Sequence, residues 1–328
     1  MRKIVVLSVA AAVACVFASC SEKEGVYSPS KKIANIYESS ASYYQNRNDE
    51  TGEWINDTVE QPKTLAESWT WDGEKLAKIV LYEVGNVNEK GEAYDEMVFT
   101  YDGKQVTRIE GNDEYVTFGY DGKLLKEAKL YEKTKNTMKP QATFAFERKD
   151  GRVSRIVVTG DMEWMMDGDM DMQRVLFRMV LPTVEHADRA VAVMAKAVER
   201  TAGAKVEMSI PMELTWTGDN VTGFTLNIAG MMSASGKYSF DDKSNPYQNF
   251  LFGIVDMMEG GPMYFNKNNV VKAEMTMTTL FGPLTDVVSY AYTYDGDWPL
   301  TQTSTTVEDE EDGEYRSEHV TTRYFEYR

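Results

Sequence analysis

From Trp69 onward the chain alternates apolar and polar residues in short runs, and the runs come in pairs joined by Asp-Gly or a close equivalent. "WTWDGEKLAKIVLY" (69–82), "FTYDGKQVTRI" (99–109) and "FGYDGKLLKEA" (118–128) are near copies, and "YAYTYDGDWPLTQTSTTV" (290–307) repeats the plan close to the C-terminus. Period-two alternation puts one row of side chains on one face of a sheet. Asp-Gly tolerates the positive φ of a tight hairpin turn. The aromatic before it pairs across the strands with the aliphatic residue after it. Looser copies are "FAFERKDGRVSRIVV" (144–158), "LTWTGDNVTGFTL" (214–226), "KYSFDDKSNPYQNF" (237–250) and "MYFNKNNVVKAEMTM" (263–277). The expected fold is therefore all-β. It is a large antiparallel up-and-down meander of more than ten strands, forming a strongly curved sheet or a closed or partly closed barrel, because closure removes exposed edges.

One stretch departs from this rule. "HADRAVAVMAKAVERTAG" (186–203) is Ala-rich, with Val191, Met194 and Val198 at helical spacing and Gly203 placed as a C-cap. An inserted helix is expected near 186–203, covering or plugging one end of the sheet. "MQRVLFRMVL" (172–181) fits either a short helix or a strand, so the insertion is drawn as 172–203. A closed sheet of more than about eight strands is too wide for its own side chains to fill. A mostly apolar cavity is expected at the end that the helix leaves free.

The N-terminus carries a different signal. Arg2 and Lys3 precede the apolar run "IVVLSVAAAVACVFA", which ends in "FASC", Phe17 to Cys20. That ending resembles the lipobox of bacterial lipoproteins. The resemblance implies a signal peptide over 1–19, removed, and a Cys20 bearing two or three acyl chains. That number holds a protein stably on a bilayer, whereas one chain is marginal. Residues 20–32 then read as a polar lipidated tether and 33–328 as a single β-meander domain. Ser21 after the lipidated Cys fits sorting to the outer membrane. Glu22 and Glu24 resemble the surface-export signal of Bacteroidetes lipoproteins. The expected location is the outer membrane, on its periplasmic or cell-surface face.

The repeats also resemble a family of Bacteroidetes outer-membrane or surface lipoproteins of unknown function. The likeness rests on the lipobox, the Tyr-Asp-Gly hairpins, and a late segment here formed by Asp241, Asp242, Lys243, Asn245 and Pro246, followed by Asn269, Val270 and Val271. It implies a porin-like β fold. It brings no activity and no site residue with it.

Composition narrows the chemistry. Lys and Arg number 35 against 52 Asp and Glu, a formal charge of −17, so a nucleic-acid partner is not expected. The two cysteines, Cys15 and Cys20, fall in the signal and at the lipidation site, leaving no thiol for nucleophilic, redox or metal chemistry. His186 and His319 are the only histidines and lie far apart. "DGDMD" (167–171) begins like a calcium loop, but Met172 and Arg178 stand where that loop needs Gly and Glu. "EDEEDGE" (308–314) reads as a solvated acidic loop. No catalytic residue, metal or cofactor is expected, and the chain is read as non-enzymatic. Lys78, Arg108, Lys126, Lys129 and Arg155, in mid-strand, oppose a lipid-facing band and favour a tethered soluble barrel.

Two Met-rich stretches, "MEWMMDGDMDM" and "DMMEGGPMYF", supply the best ligand lead. Met162, Trp164, Met165, Met166, Met257 and Met258 would line a pliable pocket, since Met adapts to varied apolar shapes. The plainer reading of the same residues is core packing. The partners expected are the membrane, through the lipid anchor, and a hydrophobic small molecule or an envelope protein. The alternative function is a surface hydrolase acting on glycans or lipids through a carboxylate pair.

Overall fold

The computed structural model describes residues 24–47, 54–84, 91–133, 139–161, 207–228, 232–250, 265–279, 282–309 and 315–328. The described residues form sixteen strands: β1 (Ile33–Arg47), β2 (Trp54–Asp72), β3 (Lys75–Tyr82), β4 (Ala93–Asp102), β5 (Gln105–Glu110), β6 (Glu114–Asp121), β7 (Leu124–Glu132), β8 (Ala142–Lys149), β9 (Arg152–Asp161), β10 (Glu207–Thr217), β11 (Asn220–Ile228), β12 (Met232–Ser244), β13 (Asn268–Thr279), β14 (Gly282–Asp295), β15 (Trp298–Asp309) and β16 (Tyr315–Tyr327). Every strand pairs antiparallel with its neighbours in sequence, and β16 pairs with β1 to close the barrel. The all-β meander of more than ten strands is thus observed, and it is closed. The helix expected near 186–203 lies outside the described residues.

The repeated motif builds one end of the barrel. Five hairpins turn on a glycine with positive φ in the first of two loop positions: Gly73, Gly103, Gly122, Gly218 and Gly296. This is the sign pattern of a II′ turn, which matches strand twist. The preceding Asp72, Asp102, Asp121 and Asp295 are the last paired strand residues, so the glycine alone takes the unusual conformation. The β8–β9 turn differs: Asp150 and Gly151 both have positive φ, as a I′ turn requires.

Behind each turn the ladder slips by one residue, so that two residues oppose one, which is an aromatic at every such turn except β8–β9, where it is Arg148. Leu76 and Ala77 oppose Trp71, Val106 and Thr107 oppose Tyr101, and Pro299 and Leu300 oppose Tyr294. Such bulges take backbone groups out of the ladder, and these must find other partners. The neighbouring repeat supplies them. Tyr101 Oη donates to Leu76 O at 2.7 Å, Tyr120 Oη to Val106 O at 2.6 Å, Trp216 Nε1 to Val153 O at 2.7 Å and Tyr327 Oη to Pro299 O at 2.8 Å. Trp71 Nε1 donates to Ile33 O at 2.7 Å, tying β2 to the start of β1. The aromatic of each motif therefore staples its hairpin to the one beside it.

The outer face is polar and laced with ion pairs in mid-strand. Lys78 meets Glu96 at 2.8 Å, Arg108 meets Glu110 at 2.9 Å, Arg155 meets Glu213 at 2.9 Å and Lys272 meets Glu274 at 2.5 Å. A barrel crossing a bilayer carries the reverse arrangement, an apolar band outside.

Burial of the staples predicts an alkaline limit to stability. Tyr27, Tyr101, Tyr120, Tyr238, Tyr292 and Tyr327 all have phenol pKa values raised above 10.0, chiefly because burial disfavours the phenolate. A pKa higher in the folded than in the unfolded state gives stability that is complete below the unfolded value. It is lost as pH rises through the folded one, at up to about 1.4 kcal/mol per pH unit for each group. Phenolate absorbance from these residues is expected to appear in one cooperative step above pH 10, together with loss of the sheet circular-dichroism signal. A gradual rise with the sheet signal intact would contradict this.

A two-sided interior as the candidate functional site

Register and burial together define the inner face. From β3 to β14 it is apolar: Ile79, Leu81, Met97, Phe99, Val116, Phe118, Phe144, Phe146, Ile156, Met212, Phe224, Met275 and Val288 are all buried in one continuous core. The remaining four strands, adjacent across the closing seam, carry a polar inner face beyond the apolar Ile33, Ile36, Trp69, Trp71 and Phe325 near the tight turns. Phe325 and Ser317, both buried, fix the inward parity of β16, which places Arg323, Thr321 and His319 inside as well. Their partners on β1 are Glu38, Ser40 and Ser42. On β15 they face Gln302, Ser304 and Thr306.

Strand β2 adds Glu67, Thr64 and Gln61, opposite Ile36, Glu38 and Ser40. Their spacing of three would scatter them over both faces of a regular strand. Two register shifts, between Ile36 and Tyr37 and between Glu38 and Ser40, bring all three inward. Pro62 sits in the second irregular stretch, where a residue without an N–H costs the ladder nothing.

The polar wall is internally bonded. Arg323 Nε donates to Glu38 Oε2 at 3.3 Å, with only 11% and 20% of the two side chains exposed. Ser40 Oγ donates to Gln61 Oε1 at 3.0 Å, and His319 Nδ1 lies 3.0 Å from Ser42 Oγ. Gln302 Nε2 donates to Tyr292 Oη at 2.9 Å. Glu67, 2% exposed, accepts from Trp69 Nε1 at 2.7 Å. Among the described residues Thr64 Oγ1 and Ser317 Oγ are buried with no hydrogen-bond partner. Among the described residues no group of three or more His, Cys, Asp or Glu is placed to hold a metal ion.

The tight-turn end is closed by two segments. Residues 24–32, read from sequence as part of the lipidated tether, form a strap across the barrel mouth. Glu24 N donates to Lys123 O and Val106 N to Gly25 O, each at 2.9 Å, while Glu24 also ion-pairs with Arg148. Tyr27 is buried against Trp69, Trp71 and Phe250 with ring centroids at 6.2, 5.7 and 4.9 Å, and its hydroxyl donates to Pro246 O at 2.7 Å. An aromatic that large does not stay in water when a wide barrel leaves room for it. The second segment follows β12. Asp241 Oδ1 accepts from Lys243 N at 2.9 Å and Asn269 N at 3.1 Å, and Asp241 also binds Tyr294 Oη. Asn245 Nδ2 donates to Asn266 O at 2.9 Å, and its Oδ1 accepts from Tyr247 N at 2.9 Å. The Asp241–Pro246 motif and Asn269 thus build the closure.

Cys20, Met162, Trp164, Met165, Met166, Met257 and Met258 lie outside the described residues. The described residues that flank the two Met-rich stretches, Asp161 with Glu207 and Phe250 with Phe265, belong to connections at opposite ends of the barrel. The inner face is apolar over most of its strands, as expected, while four of the sixteen also present polar groups. Sequence reading missed this wall because Ser and Thr occupy both faces of β1, β15 and β16, which erases the alternation. The one available signal was the run "TQTSTT" (301–306), too polar for a strand with a wholly apolar inner face.

No family model matches the chain, and no curated protein matches it. Among solved structures, a porin-like protein from Bacteroides uniformis is similar over 93% of this chain and 100% of its own, with 8% identity and a TM-score of 0.47. A porin-like protein from Bacteroides vulgatus is similar over 91% of this chain and 99% of its own, at 10% identity and a TM-score of 0.44. The low-pH structure of Pseudomonas putida OprB aligns over 89% of this chain and 92% of its own, at 7% identity and a TM-score of 0.24.

Proposed function

We propose that this chain is a lipid-anchored cell-envelope protein that acts without catalysis, holding an amphiphilic molecule inside its barrel. The observation that carries this reading is the two-sided interior. Twelve adjacent strands offer an apolar wall to an acyl chain, and four offer hydrogen-bonding groups to a headgroup. Met162, Trp164, Met165, Met166, Met257 and Met258 would extend the apolar side. The charged outer face supports a barrel that stands in water, and the "FASC" ending at Cys20 supports its attachment to the outer membrane through acyl chains.

Protein purified from its native envelope and extracted with organic solvent is expected to release a lipid in about one-to-one ratio, beyond the acyl chains on Cys20. Recovery of no such lipid would overturn the binding role. Cys20→Ala is expected to move the protein from the membrane to the soluble fraction. Its continued sedimentation with membranes after a high-salt wash would overturn the anchor.

A further inference from the structure

We infer that the cleft between the strap and residues 244–249, at the closed end of the barrel, is a binding site for an uncharged saccharide. It is a second site, outside the interior, and does not depend on what the interior holds.

The cleft is open and has a volume of about 440 Å3, within the roughly 300–1,000 Å3 range of ligand pockets. The strap and residues 244–249 form its walls, and Lys104 from the β4–β5 turn and Trp298 from the start of β15 complete it. The bond from Tyr27 Oη to Pro246 O, at 2.7 Å, joins the two walls. Ser244 N donates to Asp297 O at 3.0 Å and fixes the second wall to the β14–β15 turn. The shape is therefore set before any ligand arrives, which lowers the cost of binding.

The lining chooses among ligand classes. It presents the hydroxyls of Ser28, Ser30 and Ser244, the Gln248 amide, the Lys104 ammonium and the Trp298 indole. Ser28, Ser30 and Gln248 are exposed and within reach of a ligand. None of these hydroxyls, nor the Gln248 amide, is hydrogen-bonded to another described residue. Trp298 is half-buried and packs on Tyr327 with ring centroids 6.1 Å apart. No carboxylate lines the cleft. The two in the β14–β15 turn are matched, Asp295 by Lys31 at 2.6 Å and Asp297 by Lys243 at 3.0 Å. A cation or a basic peptide thus finds no acidic partner in the lining, and a polyanion finds one lysine on a chain of formal charge −17. An apolar ligand would take the amides and hydroxyls out of water without replacing its hydrogen bonds. A pyranose meets none of these objections. Its C–H face lies against an indole, and its hydroxyls give and take hydrogen bonds around the edge.

Asn249 is an independent observation. Its φ is +64°, and Phe250 N donates to Tyr247 O at 3.0 Å, so Asn249 is the third residue of a tight turn. Positive φ at that position ordinarily calls for glycine, the residue this chain uses in its tight turns at Gly73, Gly103 and Gly296. Asn tolerates the same conformation, and Asn249 lines the cleft. Where glycine would serve the fold, the chain carries a side-chain amide at the site.

The strap begins just after Cys20, the proposed anchor, so the sugar has two sources: a free glycan, or the headgroup of a lipid in the same membrane. The test applies the full-length protein, in a zwitterionic sugar-free detergent, to an array of oligosaccharides. These end in glucose, galactose, mannose, rhamnose or N-acetylglucosamine, each offered both free of lipid and as a glycolipid. Binding to at least one terminal sugar is expected. Its affinity should fall at least roughly tenfold in Trp298→Ala and in part recover in Trp298→Phe. It should also weaken in Gln248→Ala, a change at an exposed position that leaves the fold intact. Capture of the lipid-free form would support the site with a free glycan as its ligand, and capture of the glycolipid alone would support it with a headgroup. Binding to no member of the array would overturn the inference. Sugar binding that survives both Trp298→Ala and Gln248→Ala would overturn it as well, by placing the sugar elsewhere. Selection of a displayed peptide, lost in the same variants and with no sugar bound, would overturn it in favour of a peptide partner.

Discussion

Trp71→Ala is expected to destabilise the barrel by about 3–5 kcal/mol, and Trp71→Phe by only about 1–2 kcal/mol. The indole is 7% exposed and lies beside Trp69 at 6.5 Å and Tyr27 at 5.7 Å. Alanine there removes a large ring from a site that β-strands on both sides hold open, so a cavity remains. Phenylalanine keeps most of the packing and loses one bond, from Nε1 to Ile33 O, between β2 and β1. The same split recurs at the other staples. Tyr101→Phe, which loses only the bond to Leu76 O, should cost about 1 kcal/mol. Urea unfolding with an unchanged denaturant slope is the measurement. Equal losses in Trp71→Ala and Trp71→Phe would mean that the hydrogen bond, not the ring, carries the site.

These staples explain how much of the fold was legible. The Asp-Gly copies at 72–73, 102–103, 121–122 and 295–296 mark tight turns, and the aromatic before each marks the residue that ties one hairpin to the next. Both are local signals, so the meander could be read along the chain. Closure itself is not local. It depends on β1 finding β16 almost a full chain length away, and nothing in "IANIYESSASYYQNR" announces that pairing.

The polar wall was hidden for a related reason. Glu67, Thr64 and Gln61 come to one face only because β2 slips twice, and a slip leaves no mark in the hydrophobic pattern. The docking of the strap was not legible in composition. "EGVYSPSKK" is polar enough to pass for a tether, and its single apolar anchor, Tyr27, has meaning only beside Trp69, Trp71 and Phe250.

Gly25→Val is expected to unseat that strap. Gly25 has φ +75°, a left-handed conformation that a β-branched residue resists, and a Cβ there would stand 2.0 Å from Tyr120 Oη and 2.7 Å from its ring. Tyr120 has no freedom to yield, because its hydroxyl is bonded to Val106 O at 2.6 Å while Val106 N is bonded to Gly25 O at 2.9 Å. The cheaper response is for residues 24–32 to lift away. That gives up the Glu24 bonds to Arg148 and Leu125 N, the Lys31–Asp295 and Lys32–Glu74 pairs and the burial of Tyr27, a loss of roughly 2–5 kcal/mol. In the wild type Lys31 and Lys32 are engaged and should resist trypsin. In the variant they should be cut rapidly, giving a barrel whose N-terminus is Lys32 or Ile33 by mass spectrometry. A variant as resistant as the wild type would show that the strap tolerates the added side chain. Under the proposed anchor at Cys20, undocking would also have a consequence at the membrane. With Cys20 as the anchor, the linker to Glu24 spans at most about 14 Å when extended, so a docked strap holds the closed end of the barrel against the bilayer and leaves the end with the longer connections facing away from it. Release of the strap lets the barrel tumble on a longer tether.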